Sequence, residues 1–385
     1  MKLIRNILDN IKPHVEKGGK FHFFRSTFDA IETLFFVQNH VTQKGSHIRD
    51  SVDMKRTMIV VVLAVIPALL FGMWNTGRLH FLSIGEAAAF WPTFWYGFFK
   101  ILPIIIVTYV VGLTIEIIFA QKRGHEVNEG FFVSGILIPL ILPADVPLWM
   151  VAVATAFAVI IGKEVFGGSG MNIMNPALIA RAFLFFAYPS KMSGDVIWVS
   201  GMTNNTNIVD GFSGATPLGN ALVGNLDKLP SPMDMFLGII PGSIGETSVV
   251  AILIGAAILL YTGVGSWRIM FSVVAGGLVM GFIFNLTAVN DYMALPAWEH
   301  LIMGGFAFGA IFMATDPVTA TQTNKGKYIY GFLIGLLAIL IRVVNPAYPE
   351  GMMLAILLMN VFAPLIDHYV VAANIKKRLK RIKTV

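Results

Sequence analysis

The chain has 385 residues, of which 56% are hydrophobic and only 13% are charged, and its formal net charge is +6. Soluble domains are about 45–50% apolar and about 25% charged, so this composition excludes an ordinary soluble fold and indicates lipid-facing helices. The absence of cysteine excludes disulfides, thiolate metal sites and iron–sulfur clusters, and the basic excess is typical of membrane-protein loops rather than of a nucleic-acid partner.

Residues 1–55 are polar and mixed, and they lack the early apolar core of a signal peptide. We therefore predict that they form a cytoplasmic N-terminal arm. An amphipathic stretch around Phe21 to Phe36 indicates either a helix on the membrane surface or a cover for a lipophilic substrate that enters from the bilayer.

Ten apolar segments follow, near residues 57–75, 97–120, 130–143, 147–163, 176–189, 248–263, 267–287, 300–313, 328–344 and 351–371. Several are shorter than the roughly 20 residues of a full span, and Gly or Pro interrupts them. Broken helices at membrane depth are tolerated only where they are buried in protein or line a cavity. The pattern predicts an all-α polytopic membrane protein with about ten transmembrane helices.

The distribution of basic residues predicts the orientation of these helices. Ten spans put both termini on one side, and that side then holds 23 of the 28 Lys and Arg residues. Basic residues collect on the cytoplasmic side, so we predict cytoplasmic termini. In this count Arg181 belongs to the cytoplasmic loops and helix ends, and Arg342 to the opposite side.

Two stretches of the chain indicate an inverted repeat. We expect the sequence Asn-Pro-Ala to open an apolar helix at Asn175 and again at Asn345, with a Gly-rich short helix before each. Five helices per half give the halves opposite orientations, as in many transporters and channels. We predict five-helix repeats at residues 56–189 and 248–372, an extracytoplasmic loop at 190–247 and a basic cytoplasmic tail at 373–385.

The loop between the halves contains VDGFSGATPLG, from Val209 to Gly219. Small residues there let another group approach the backbone closely and present the hydroxyl of Thr216. Asp210 places a carboxylate nearby, which suits metal binding or activation of a hydroxyl. The residues alone are equally those of an ordinary Gly, Ser and Thr loop.

This stretch resembles the D-x-x-(S/T)-G-A-T signature at which a flavin transferase attaches FMN to threonine through a phosphoester. It occurs in the family formed by the B subunit of the sodium-pumping NADH:quinone oxidoreductase and the D subunit of the related Rnf complex. HEVNEGFF (125–132), KEVFGGSG (163–170), NPALIARAFLFFAYP (175–189) and MATDPVTA (313–320) resemble the same family. The long N-terminal arm favours the B subunit, with the D subunit of an Rnf-type ferredoxin:NAD complex as the alternative.

The resemblance implies a bacterial inner-membrane translocase that passes electrons to quinone and exports Na⁺. It implies covalent FMN on Thr216, with Asp210, Ser213, Gly214 and Ala215 in the attachment motif. It also implies a noncovalent riboflavin. The implied partners are an NADH-oxidising flavoprotein subunit, a second FMN-carrying subunit, quinone, Na⁺ and the flavin transferase. The sequence contains no dinucleotide-binding motif, so NADH is expected to react on another subunit.

Several intramembrane residues are candidates for roles in this chemistry. Ionisable groups in a membrane are costly, which makes them functional hypotheses, and carboxylates suit a hard cation such as Na⁺. The candidates for the sodium path are Asp29, Glu116, Asp316 and Asp367, each of which is alternatively an interfacial charge or an ion-pair partner. No metal-ligand spacing of histidines is present.

Amide and aromatic side chains supply the remaining candidates. Asn172 and Asn175 lie beside glycines and are either riboflavin ligands or helix caps, since Asn followed by Pro suits a helix start. Phe131, Phe157, Phe183 and Phe185 are either quinone contacts or plain packing. A non-redox transporter or channel and a scaffold for partner subunits stay open as other functions, and modification of Thr216 distinguishes them from a redox subunit.

Overall fold

Helices are the only regular secondary structure in the part of the chain that the computed structural model describes, which is residues 2–15, 28, 32, 36, 44–46, 54–123, 130–203, 208–345 and 348–382. In chain order they are α1 (Lys2–Val15), α2 (Met54–Ser83), α3 (Phe90–Arg123), α4 (Phe131–Leu140), α5 (Leu148–Gly162), α6 (Pro176–Ala187), α7 (Pro217–Leu222), α8 (Pro232–Leu237), α9 (Val249–Tyr261), α10 (Trp267–Thr287), α11 (Asp291–Ala294), α12 (Glu299–Ile302), α13 (Phe306–Phe308), α14 (Asn324–Val344) and α15 (Met352–Ile382). A π-helix, Gly309–Met313, continues α13, and short 3-10 helices lie at Glu164–Phe166, Pro189–Lys191 and Leu226–Lys228.

Within those residues, six helices are long and apolar enough to cross a membrane: α2, α3, α5 with the 3-10 turn after it, α10, α14 and α15. Their outward faces carry exposed large apolar side chains, such as Phe99 and Val110 on α3 and Phe271 on α10. Water would oppose that exposure, whereas lipid accepts it. The helices therefore form a multi-pass membrane bundle.

The other four predicted spans correspond to shorter helices, namely α4, α6, α9 and the pair formed by α13 and the π-helix. Each has fewer residues than a full crossing needs. All ten predicted segments are thus confirmed as helical. Only six of them, among the described residues, are long enough to cross a membrane. Loop backbone covers the end of α4, because Gly245 N donates to Leu140 O at 2.7 Å and Ile244 N to Leu142 O at 3.2 Å. The helix α4 therefore ends inside protein rather than in lipid.

Glycines bring α10 and α14 into close contact. A Cβ added at Gly335 would lie 1.9 Å from Val273 O, and one at Gly276 would lie 2.1 Å from Phe332 O. Small residues let membrane helices approach one another closely and gain van der Waals contacts. Those contacts matter because the hydrophobic effect does not drive helices together in lipid.

The two Asn-Pro-Ala stretches differ in the structure. Asn175 caps the N-terminus of α6 and is followed by Pro176 at the first helical position. Asn345 instead ends α14, and the next helix begins only at Met352. The expectation that both stretches open a helix is therefore wrong for the second, although both lie between the fourth and fifth helical segments of their halves.

The long loop is packed onto the bundle over its described residues, 190–203 and 208–247. Met192, Val199 and Ile244 are buried, and Asn75 of α2 donates its amide to Ile240 O at 3.0 Å. The loop therefore has a fixed relation to the helices beneath it.

The N-terminal arm contains a helix, α1, that the pattern did not predict. Leu8 and Val15 of α1 pack with Phe28, and Lys12 pairs with Glu32 at 2.9 Å. Most of the amphipathic stretch around Phe21 to Phe36 lies outside the described residues.

Candidate functional site

A cavity of about 460 Å³ lies where the start of α6 meets α2, α4 and the segment after the π-helix. We call it the polar cavity. It brings together three predicted site residues, Asn172, Asn175 and Asp316, with Lys163, which the sequence analysis did not select. Its other polar lining includes Thr57, Ser134, Ser169 and Thr315, and its apolar lining includes Val61, Val133, Leu137 and Phe312.

The turn from α5 to α6 builds one wall of this cavity. Gly167 and Gly168 adopt φ of +121° and +102°, which side chains with a Cβ rarely adopt. The turn is thereby sharp enough to carry Asn172 and Asn175 to the cavity after Lys163 has ended α5.

The amide of Asn175 has two roles in the structure. Its Oδ1 accepts from Ala177 N at 2.9 Å, as expected of an N-cap, and its Nδ2 donates to Asp316 at 3.4 Å. Asn172 donates to Met174 O at 3.1 Å. The capping alternative for Asn175 is therefore confirmed, and the same side chain also lines the cavity, where a ligand would meet it.

Asp316 is held by the turn that follows the π-helix. Its carboxylate accepts from Val318 N at 3.2 Å and from the Thr319 hydroxyl at 2.9 Å, besides the amide of Asn175. No basic partner of this carboxylate occurs among the described ion pairs. Asp316 thus presents a hydrogen-bonded carboxylate to the polar cavity.

Glu116 lies on α3 and is paired with Lys163, and both side chains are 4% exposed. The Lys163 ammonium donates to one carboxylate oxygen, Oε1, and the other, Oε2, has no hydrogen-bond partner among the described residues. Beside this pair, Arg123 binds Glu164 at 2.7 Å. The ion-pair alternative for Glu116 is therefore the one that the structure contains.

Of the two remaining sodium-path candidates, the structure describes Asp367, which, like Glu116, does not line the polar cavity. Asp367 accepts from Gln322 N at 2.7 Å and from Thr323 N at 3.0 Å, so it caps the start of α14 from α15. Asp29 lies outside the described residues.

The predicted attachment residue, Thr216, is the N-cap of α7. Its Oγ1 accepts from Gly219 N at 3.1 Å, and the residue is half-buried. Asp210 and Ser213 belong to the turn before it, and the Ser213 hydroxyl accepts from Ala215 N at 3.2 Å. The motif is therefore a hydrogen-bonded turn that leads directly into a short helix.

Gly214 fixes the path of this turn. A Cβ there would lie 2.3 Å from Asp195 O and 3.0 Å from Val199 Cγ2, so only glycine fits without movement of the backbone. Ala215, the next residue, is half-buried. Close packing of the loop on itself thus requires glycine at position 214.

Beneath Thr216 lies a small cavity of about 50 Å³, whose polar lining includes Glu246, Thr247 and Glu350. Arg181 of α6 binds both glutamates, and Glu350 also accepts from Gly305 N at 2.9 Å. Burial raises the pKa of Glu246, and Arg181 opposes that rise. Since α6 rises about 1.5 Å per residue, Arg181 lies about 9 Å from Asn175, so one helix connects the two cavities.

Arg342 completes this buried charge cluster. It is 0% exposed and donates to His300 O at 2.6 Å and to Met303 O at 3.2 Å. Arg181 is 3% exposed. The assignment of Arg181 to a cytoplasmic loop or helix end is therefore wrong, because this residue is buried in the middle of α6. Arg342 lies in the last turn of α14 but is buried as well, and polar partners from distant segments compensate both charges. A single Arg within each apolar run was the signal that the sequence offered.

The four phenylalanines proposed for quinone do not form one group. Phe157 and Phe183 stack with ring centroids 4.6 Å apart, Phe185 contacts Tyr348 at 4.3 Å, and Phe131 contacts Tyr109 at 6.2 Å. The quinone site at these residues stays a prediction.

Comparison with known proteins covers nearly all of these residues. The profile of the NQR2, RnfD, RnfE family matches residues 41–376. The chain is 48% identical to the B subunit of the Na(+)-translocating NADH-quinone reductase of Chromohalobacter salexigens, over 98% of this chain and 96% of that protein. It is 49% identical to the protein of the same name in Ectopseudomonas mendocina, and 48% identical to that of Pseudomonas aeruginosa, over 98% of this chain and 99% of each relative.

Proposed function

The chain belongs to the NQR2, RnfD, RnfE family, and from that premise we propose that it is the B subunit of a Na⁺-translocating NADH:quinone oxidoreductase. Relatives with that name match it over nearly their whole length, at 48–49% identity. The near-complete coverage supports this assignment over the D subunit of an Rnf complex and over a non-redox transporter or a scaffold. In this assignment the protein belongs to a translocase in a bacterial inner membrane.

The observation that carries the redox assignment is the setting of Thr216. Its hydroxyl sits in a hydrogen-bonded turn that Gly214 keeps tight, in a loop packed onto the bundle. A phosphoester needs such a hydroxyl, and an ester oxygen still accepts from Gly219 N. Thr216 would hold FMN covalently, and bound FMN supplies one- and two-electron transfer that amino-acid side chains do not.

The polar cavity fits a noncovalent riboflavin. Its volume of about 460 Å³ lies within the usual range of roughly 300–1,000 Å³ for small-molecule sites. The buried hydroxyl of Ser169 has no hydrogen-bond partner within the described residues and lines the cavity, as do the amides of Asn172 and Asn175. These groups would orient the polar edge of a flavin, while Leu137 and Phe312 would contact its ring faces.

The remaining assignments follow from this proposal. The helical segments form two inverted five-helix halves with cytoplasmic termini, and the Thr216 loop is extracytoplasmic. NADH is oxidised on a partner flavoprotein, and electrons pass through this chain and a second FMN-carrying subunit to quinone. Glu116, Asp316, Asp367 and Asp29 are the proposed sodium ligands, and Na⁺ export accompanies the electron transfer.

Flavin fluorescence after denaturation tests the proposal. The chain is produced in cells that contain the flavin transferase, denatured in acid and separated on a gel. We expect fluorescence in the native chain and in the control Thr203→Ala, an exposed threonine of the same loop. Thr216→Asn keeps an N-cap side chain but has no hydroxyl, so we expect a folded chain without flavin fluorescence. This variant therefore separates the loss of flavin attachment from the loss of folding.

A native chain without fluorescence would overturn the redox assignment. Uptake of ²²Na⁺ into vesicles that contain the reconstituted complex tests the transport assignment separately. Quinone reduction that neither depends on Na⁺ nor moves it would favour an Rnf-type or proton-pumping complex instead.

A further inference from the structure

Lys163 lies between the polar cavity and Glu116. Its side chain lines the cavity, although it is 4% exposed, and its ammonium donates to Glu116 on α3. Glu116 does not line the cavity. The basic group is therefore the only one of the two that a cavity ligand would meet.

The pair is incompletely hydrogen-bonded. An ammonium has three donors, and Glu116 is the one hydrogen-bond partner that the described residues give the Lys163 ammonium. Within the same part of the chain, the second carboxylate oxygen of Glu116 is buried without any partner. A buried carboxylate oxygen without a donor is costly, so the second oxygen of Glu116 is available to a donor or to a cation.

Nearby charges do not hold Lys163 in place. Glu164 is bound by Arg123, through both its carboxylate and its backbone oxygen, and Asp316 is bound by Asn175 and Thr319. The Phe131 ring, 6.0 Å from the Lys163 ammonium, offers a second contact for the cation. The flexible lysine stem can therefore redirect its charge toward the cavity without breaking another ion pair.

We propose that Lys163 is a mobile counter-ion that exchanges between Glu116 and the ligand of the polar cavity, and that it thereby couples electron arrival to Na⁺ binding at Glu116. The inference rests on the proposed function, because it needs a redox ligand in the cavity. One electron from the NADH-oxidising partner adds one negative charge there. Lys163 turns toward that charge and keeps its proton, and Glu116 takes one Na⁺.

The exchange balances in both directions. No covalent bond forms or breaks, and one electron and one Na⁺ enter together, so the buried region gains no net charge. When the electron passes on to quinone, Lys163 returns to Glu116 and displaces the Na⁺. A carboxylate is a suitable hard ligand for that ion.

Redox titration of the noncovalent flavin in the purified complex, at low and high Na⁺, tests this inference. In the native complex we expect a higher midpoint potential at high Na⁺, because the reduced state binds Na⁺ about tenfold more tightly and linkage is reciprocal. In Lys163→Met the carboxylate is free in both redox states, so the Na⁺ dependence should largely disappear. In Glu116→Gln it should disappear as well, with the potential raised because Lys163 then stays with the flavin.

Two controls keep the result interpretable. Lys100→Met removes a lysine from another carboxylate pair, with Asp145 at 2.9 Å, that does not line the cavity, and it should behave as the native complex does. The double variant Lys163→Met/Glu116→Gln removes both charges. It tests whether the unpaired carboxylate of Lys163→Met alone changes the midpoint potential of the flavin. That potential should be lower than in Glu116→Gln, because no lysine charge remains beside the flavin.

The outcomes separate this inference from the proposed function. Absence of noncovalent flavin from the native complex would overturn the proposed occupancy of the cavity. If the flavin is present and Lys163→Met retains the native potential and Na⁺ dependence, Lys163 is not the coupling group, whereas the proposed function stands.

Discussion

The side-chain amide of Asn175 lies 3.4 Å from the carboxylate of Asp316, across 141 positions of sequence. From the sequence, Asn175 is a candidate for flavin binding or helix capping, and Asp316 is a separate candidate for Na⁺ binding or for an interfacial charge or ion pair. Both line the polar cavity, together with Lys163. The structure therefore brings one cation candidate, Asp316, to the same cavity as both flavin candidates. Charges on ligands bound there would lie close together.

The first prediction separates capping from ligand binding at Asn175. Asn175→Ser keeps an N-cap side chain but loses the amide that reaches Asp316, whereas Asn175→Ala loses both. We expect Asn175→Ser to keep the stability of the complex and to lose at least tenfold in affinity for the noncovalent flavin. Asn175→Ala should lose the same affinity and about 1 kcal/mol of stability in addition.

Flavin release on dialysis and thermal unfolding measure these two effects. Asn220→Ser is the matched control, because Asn220 is an asparagine of the Thr216 loop outside the polar cavity. Full flavin retention in Asn175→Ser would mean that this residue acts only as a cap.

The second prediction concerns the shape of the Thr216 turn. Gly214→Ala places a Cβ 2.3 Å from Asp195 O, so the backbone must move and carry Thr216 with it. We expect covalent flavin to fall severalfold although the acceptor hydroxyl is present. In-gel flavin fluorescence per amount of protein measures this.

Gly224→Ala is the control for the second prediction. Gly224 is in the same loop with φ of +80° and open space around it, so the substitution strains the backbone by only about 1 kcal/mol without a clash. Equal fluorescence in both variants would show that transfer of the flavin does not depend on the path of the turn.

The third prediction is a dependence of stability on pH through His300. This residue is 0% exposed, neither ring nitrogen has a partner among the described residues, and burial together with Arg342 lowers its pKa to about 3. Between about pH 6.5 and 3 the unfolded chain binds a proton here that the native chain does not, so stability falls as the pH falls. From about pH 6.5 to about pH 5 the loss is about 2 kcal/mol.

His300→Phe should flatten this part of the pH profile of thermal unfolding, because phenylalanine fits beside Tyr292 without a titrating group. His368→Phe, at an exposed position on α15, should leave the profile unchanged. Parallel profiles for all three proteins would contradict a neutral buried His300.

The sequence predicted the helical segments well, because long apolar runs have few alternatives to helix in a membrane. It also selected Asn172, Asn175 and Asp316, because polar residues in or beside apolar segments are recognisable from the sequence alone. It did not predict the pairing of Arg181 with Glu246 and Glu350, because these residues come from three distant segments. A count of basic residues on each side of the membrane assigns every arginine to one of the two surfaces. Only the fold shows the carboxylate and carbonyl partners that stabilise a buried arginine.

The fourth prediction follows from that pairing. Arg181→Met leaves the buried carboxylate of Glu246 and the half-buried one of Glu350 without their cation, and breaking a buried pair in this way costs about 3–5 kcal/mol. We expect a large fall in the thermal unfolding midpoint of the complex.

The triple variant Arg181→Met/Glu246→Gln/Glu350→Gln removes the uncompensated charges as well and should regain most of that stability. Lys100→Met, in a pair whose lysine is 39% exposed, should cost no more than about 1 kcal/mol. If the triple variant is as unstable as Arg181→Met, the packing of the guanidinium rather than its charge holds α6 against the second half of the chain.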